Sequence, residues 1–134
     1  MSPRQVSRRQ ARRTALVLLF QWDVTGQPLG SLYGAEVDPW ALDLARAVCE
    51  DAERLDATIG EYAEDWSADR LGAVERNVLR IALKELERGE VPMEVVLDEA
   101  VRLAKRYASD DAGRLVNGIL ARVAREKGHS EEVA

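Results

Sequence analysis

The chain has 134 residues, 46% hydrophobic and 32% charged, with a net charge of −5. That length suits one hydrophobic core, and the composition excludes a disordered chain. A single cysteine, Cys49, and a single histidine, His129, exclude an intrachain disulfide and a structural zinc site.

Taken in order, the first feature is a basic arm. Arg4, Arg8, Arg9, Arg12 and Arg13 fall in the first 13 residues with no acid among them. Without those five charges the remainder carries −10. A basic arm on an acidic body predicts one localised anion-binding face, not a body coated in nucleic acid. Ser7 reads as an N-cap, and a first helix runs from Arg8 to about Val24 with Gly26 as its stop. Ala11, Ala15, Leu18, Leu19 and Trp22 form its buried stripe. Arg9, Arg13, Leu16 and Phe20 lie along another side. An aromatic in line with arginines suits phosphate contacts beside a base-stacking surface. The alternative is that Phe20 packs under the next loop and the arginines are solvated.

Residues 25–37, with three glycines and a proline, read as a loop. Asp38-Pro39 is a strong helix start. Trp40, Leu44, Val48, Leu55, Ile59 and Tyr62 recur at helical steps, predicting one long amphipathic helix with an interruption near Gly60. Ser67 is placed to cap the next helix.

That helix, Leu71 to Glu87, is the centre of the pattern. Leu71, Val74, Val78, Leu79, Ile81, Ala82, Leu83 and Leu86 fill an arc wider than the roughly 100° a surface helix needs, so several neighbours pack on it. Arg76, Asn77, Arg80, Lys84 and Glu87 share the polar face. Glu75 and Glu85 fall inside the apolar arc, where an unpartnered carboxylate is costly. Each needs an internal salt bridge, a helix end to cap, a protein partner to recognise, or a role as a catalytic acid.

Gly89 closes the central helix. The next begins at Pro92 and reaches about Tyr107, with Val95, Val96, Ala100, Val101, Leu103 and Ala104 inward. Ser109-Asp110-Asp111 is a turn and cap. The last helix covers roughly Ala112 to Arg125, leaving 127–134 as a loose tail. Asn117-Gly118 inside it is unusual, since glycine there costs about 1 kcal/mol relative to alanine. Either another helix or a ligand must come close, and the Asn117 amide can bond a backbone, a base or a phosphate.

No strand alternation, repeat or low-complexity segment is present. Ala, Leu, Arg and Glu dominate, which predicts an all-α fold in a single domain, 1–134, with ends 1–6 and 127–134 loosely held. The longest apolar run is Ala15 to Phe20, far below the 18 or more residues of a membrane span, and no signal peptide is evident. One cysteine fits a reducing, cytoplasmic compartment. No Ser/His/Asp or Cys/His set can be built on His129, and no phosphate-cradling glycine loop occurs. The reading is not an enzyme, with no metal and no cofactor.

Four stretches together resemble the NusB family of transcription antitermination factors. They are SRRQARRTALVLLFQWD at 7–23, DWSADRLGAVERNVLRIALKEL at 65–86, VPMEVVLDEAVRLAKRY at 91–107 and RLVNGIL at 114–120. The resemblance implies a compact bundle of about seven helices in two antiparallel subdomains. It implies binding to the single-stranded boxA RNA of ribosomal RNA leader and spacer transcripts, together with NusE, a small-subunit ribosomal protein. The pair joins RNA polymerase with other Nus factors to promote read-through, and members occur as monomers or homodimers. Matched residue by residue, the RNA-binding positions are Arg8, Arg9, Arg12, Phe20, Arg80, Asn117 and Gly118, with Arg13 an added charge. Glu75 matches a carboxylate at the NusE interface; Glu85 and Glu99 match positions read as structural. Leu115 replaces a frequent aromatic before the Val-Asn-Gly step, Asp98 replaces a frequent asparagine, and Lys84 replaces an aromatic. The rival reading from the residues is a helical protein-interaction module that binds a basic partner without RNA. A second is the RNA-binding half of an rRNA methyltransferase, for which the chain has no cofactor loop.

Overall fold

The computed structural model describes residues 6–64 and 66–133, with side chains through residue 127. Arg4 and the side chain of His129 lie outside the described residues. The described chain forms six α-helices and two 3-10 turns: α1 (Arg8–Thr25), a turn at Leu29–Ser31, α2 (Pro39–Glu50), α3 (Ala52–Tyr62), a turn at Ala68–Arg70, α4 (Ala73–Arg88), α5 (Met93–Tyr107) and α6 (Asp110–Val133). It contains no strand among the described residues, and the all-α expectation holds.

Local chemistry sets the helix ends. Ser7 and Gln10 form a capping box: the Ser7 hydroxyl accepts from the Gln10 N–H at 3.1 Å, and the Gln10 side chain accepts from the Ser7 N–H at 3.4 Å. The Asp38 carboxylate accepts from the Ala41 N–H at 2.9 Å, with Pro39 in the first helical position. Ser109 does the same for α6 through the Ala112 N–H at 3.0 Å. Gly26 and Gly89 take the left-handed conformation just past α1 and α4, with φ of 73° and 64°.

α4 is the hub. It packs against α1, α2, α3, α5 and α6, while α1 pairs with α2 and α5 with α6. Val78, Leu79, Ile81, Ala82 and Leu83 are buried in one core with Leu19, Leu44, Leu55, Ile59, Val116 and Leu120. No helix of the described residues is long and apolar enough to cross a membrane.

The structure corrects several boundaries and faces. The long helix expected over 39–62 breaks at Asp51 (φ −108°, ψ 14°), not near Gly60. The Asp51 carboxylate is held there by Arg54 and Lys84, and Gly60 lies inside α3 with open space at its Cβ position. Ser67 precedes the short turn, and Gly72 takes the N-cap position of α4. α6 continues to Val133, past the expected end near Arg125. Leu16, placed beside Phe20 by spacing, is also part of the core, 2% exposed.

The largest correction concerns the polar face of α4. Asn77, Arg80 and Lys84 are buried. Arg80 donates to both oxygens of Asp56 at 2.7 Å, to Asp23 at 3.2 Å and to the side-chain Oδ1 of Asn77 at 2.9 Å. Asn77 donates to Asp23 at 3.0 Å and to the Ala73 carbonyl at 2.8 Å. Arg76 reaches Asp23 at 2.7 Å. A helix surrounded by neighbours has no free face, so its polar residues must find carboxylates from α1 and α3. Among the described residues no buried side-chain polar atom lacks a partner.

Candidate nucleic-acid interface

The arginines of α1 diverge because consecutive helical residues point about 100° apart. Arg8 and Arg12 turn toward Trp40 of α2, with guanidinium carbons 4.5 and 5.4 Å from the ring centre. Arg12 also makes a bidentate pair with Glu85, both bonds 2.8 Å, with each side chain 4% exposed. The hydrogen bonds that Arg12 donates to the Glu85 carboxylate hold its pKa above the ordinary value. One of the two misplaced acids of α4 is thereby explained as an internal salt bridge. Arg12 is structural glue between α1 and α4 rather than a group offered to a ligand.

Arg9 and Arg13 point the other way, toward α5. With Arg102, Leu103, Arg106 and Glu99 they line a concavity of about 160 Å³. Arg9 donates to Glu99 at 3.0 and 3.2 Å, and the Arg102 Nε lies 4.0 Å from the same carboxylate. Arg13 and Arg106 have no acidic partner among the described residues. Four guanidinium groups therefore line a concavity that holds one carboxylate, which only two of them approach.

Further along the same two helices, Leu16, Val17, Phe20, Gln21 and Tyr107, with Val74 of α4, line a second concavity of about 300 Å³. Phe20 and Tyr107 are 38% and 39% exposed. The Arg106 guanidinium stands 5.6 Å from the Tyr107 ring centre, joining the cationic concavity to the aromatic one. Phosphates bind guanidinium forks and unstacked bases bind exposed aromatic faces, so the α1–α5 face can hold both parts of a nucleotide.

The other expected positions are dispersed. Arg80 sits inside the network with Asp56 and Asp23; burial opposes its charge, but the two carboxylates outweigh burial and raise its pKa. Asn117 is exposed and Gly118 half-buried on α6, and neither lines the concavities beside Phe20. A Cβ at Gly118 would meet nothing within 4 Å, so close helix packing does not explain that glycine. Glu75 is half-buried in the first turn of α4, one residue from Val74, and has no ion-pair partner among the described residues. A Cβ on Gly72 would collide with its carboxylate, which therefore lies folded over the helix start, where negative charge is favoured. No group of three or more His, Cys, Asp or Glu that could hold a metal occurs among the described residues.

Arg102, Arg106 and Tyr107 were not singled out by the sequence. The i, i+4 spacing of the two arginines was legible, but which helix they would face was not.

Comparison with known proteins gives a consistent picture. The sequence profile of the NusB family matches residues 9–125. The transcription antitermination protein NusB of Solibacter usitatus is 39% identical over 131 residues, spanning 90% of each chain. That of Rubrobacter xylanophilus is 41% identical over 122 residues, spanning 86% of this chain and 88% of its own. Among solved structures, NusB of T. maritima superposes with a TM-score of 0.81 at 35% identity, over 92% of this chain and 94% of that one. A crystal structure of antitermination factors NusB and NusE in complex with dsRNA contains a chain with a TM-score of 0.79 at 32% identity, over 89% of this chain and 96% of its own.

Proposed function

The chain belongs to the NusB family, and we propose that it is a transcription antitermination factor. It binds the single-stranded boxA RNA of ribosomal RNA leader and spacer transcripts together with NusE, and assists read-through by RNA polymerase with other Nus factors. This role places it in the cytoplasm, as a monomer or homodimer, with no catalytic step of its own.

The observation that supports this reading most is the cationic concavity of α1 running into the aromatic one at Phe20. In this reading Arg8, Arg9 and Arg13 attract phosphates, Phe20 stacks a base, and the exposed Asn117 amide hydrogen-bonds a base edge or phosphate. Gly118 leaves room for a strand to pass close to α6. Arg12 and Arg80 act from beneath, fixing α1 on α4 through Glu85 and Asp23. The acidic remainder of the molecule offers a surface to a basic ribosomal protein, with Glu75 at that interface.

Anisotropy titrations of labelled boxA RNA and a scrambled RNA, with and without NusE, test this. Selective binding that NusE strengthens is the expected result. Replacing Arg8, Arg9 and Arg13 together by alanine flattens the salt dependence, by about 0.7 in log–log slope for each lost phosphate contact. Binding to NusE with no contribution from RNA would instead identify a protein-interaction module.

A further inference from the structure

Two cations of the α1–α5 concavity come from neither the amino-terminal arm nor the central helix. Arg102 and Arg106 stand one turn apart on α5, across from Arg9 and Arg13. Both are exposed, and their only acidic neighbour among the described residues is Glu99, 4.0 Å from Arg102 and already hydrogen-bonded to Arg9. Like charges gather in a shallow cleft at a cost in mutual repulsion. On a chain of net charge −5, many carboxylates could have neutralised them.

We propose that Arg102 and Arg106 form the second wall of a phosphate clamp, so that the RNA backbone is gripped between α1 and α5 rather than laid on α1 alone. Arg106 has a second task. Its guanidinium lies beside the Tyr107 ring, and Tyr107 faces the concavity it shares with Phe20. A phosphate held by Arg106 sets the adjoining base between these two aromatics. Glu99 is the internal competitor. Its side chain is 10% exposed, and it occupies Arg9 until a phosphate displaces it, keeping weaker anions out of the cleft. The clamp rests on the RNA-binding reading given above.

Salt titrations with a labelled single-stranded boxA 12-mer test it, using the full chain, the double variant Arg102→Gln/Arg106→Gln, and Glu99→Gln. A double variant Arg46→Gln/Arg125→Gln removes the same net charge elsewhere on the surface and serves as control. Loss of two phosphate contacts makes the log–log slope shallower by about 1.4 in the α5 variant, while the control keeps nearly the wild-type slope. Glu99→Gln, which frees Arg9 without removing a cation, binds more tightly with a steeper slope. Equal slopes for wild type and the α5 variant, or equal losses in the α5 variant and the control, overturn the clamp while leaving RNA binding in place. An unchanged or weaker Glu99→Gln removes the competitor role. A wild-type chain that does not bind the 12-mer overturns the RNA-binding reading itself.

Discussion

Replacing Glu85 by alanine strands the Arg12 guanidinium in a site where both side chains are 4% exposed. Breaking one half of such a pair costs about 3–5 kcal/mol, because the remaining charge stays buried without compensation. Arg13 is half-exposed and has no acidic partner among the described residues, so Arg13→Ala falls within the roughly ±0.5 kcal/mol typical of surface changes. Urea denaturation of the two variants checks the contrast: a large drop in midpoint for the first and almost none for the second. Comparable midpoints would mean that the buried pair contributes nothing to holding α1 on α4. Four arginines within six residues look interchangeable in sequence. What separates them is the carboxylate each meets, and Glu85 and Glu99 arrive from helices more than 70 positions away. The misplaced acids of α4 signalled that a partner was required, but not which arginine would supply it.

Helix starts and stops were the most legible elements, because a cap is local chemistry. Ser7, Asp38, Gly26 and Gly89 act where the sequence placed them. Faces were less legible. The polar side of α4 was plain from spacing, but not that α1 and α3 cover it and supply Asp23 and Asp56. The break at Asp51, where Arg54 and Lys84 converge on one carboxylate, was likewise hidden. α6 offers a test of a helix carrying a residue against its own propensity. Gly118 has a helical setting and open space where a Cβ would project. Gly118→Ala therefore stabilises the fold, by up to about 1 kcal/mol. If the glycine exists to let RNA approach α6, the same substitution weakens boxA binding. Thermal melts and anisotropy titrations on one preparation separate the two effects. A stabilised variant with unchanged RNA affinity would remove Gly118 from the interface.

At the scale of the molecule, charge and shape divide the labour. The basic arm marked one face from composition alone, but the arm supplies only one wall of the cleft, and α5 brings cations that no count of the first 13 residues contains. The face proposed for a protein partner is close by, because Glu75 follows Val74, and Val74 lines the concavity shared by Phe20 and Tyr107. A ribosomal protein docked on Glu75 would therefore meet the edge of the face proposed for RNA. Glu75→Lys distinguishes the two faces. It places a cation in the first turn of α4, which costs about 0.3–1 kcal/mol against the helix dipole, too little to unfold a core built on five neighbouring helices. Helical circular dichroism stays as it was. Calorimetry against NusE shows binding lost, since a carboxylate facing a basic partner has become a repulsive cation. Affinity for boxA RNA alone holds or rises, because the reversal adds positive charge beside the cleft, while the strengthening by NusE disappears. RNA affinity that falls together with NusE binding would show that Glu75 supports the RNA face itself, and the two surfaces would have to be treated as one.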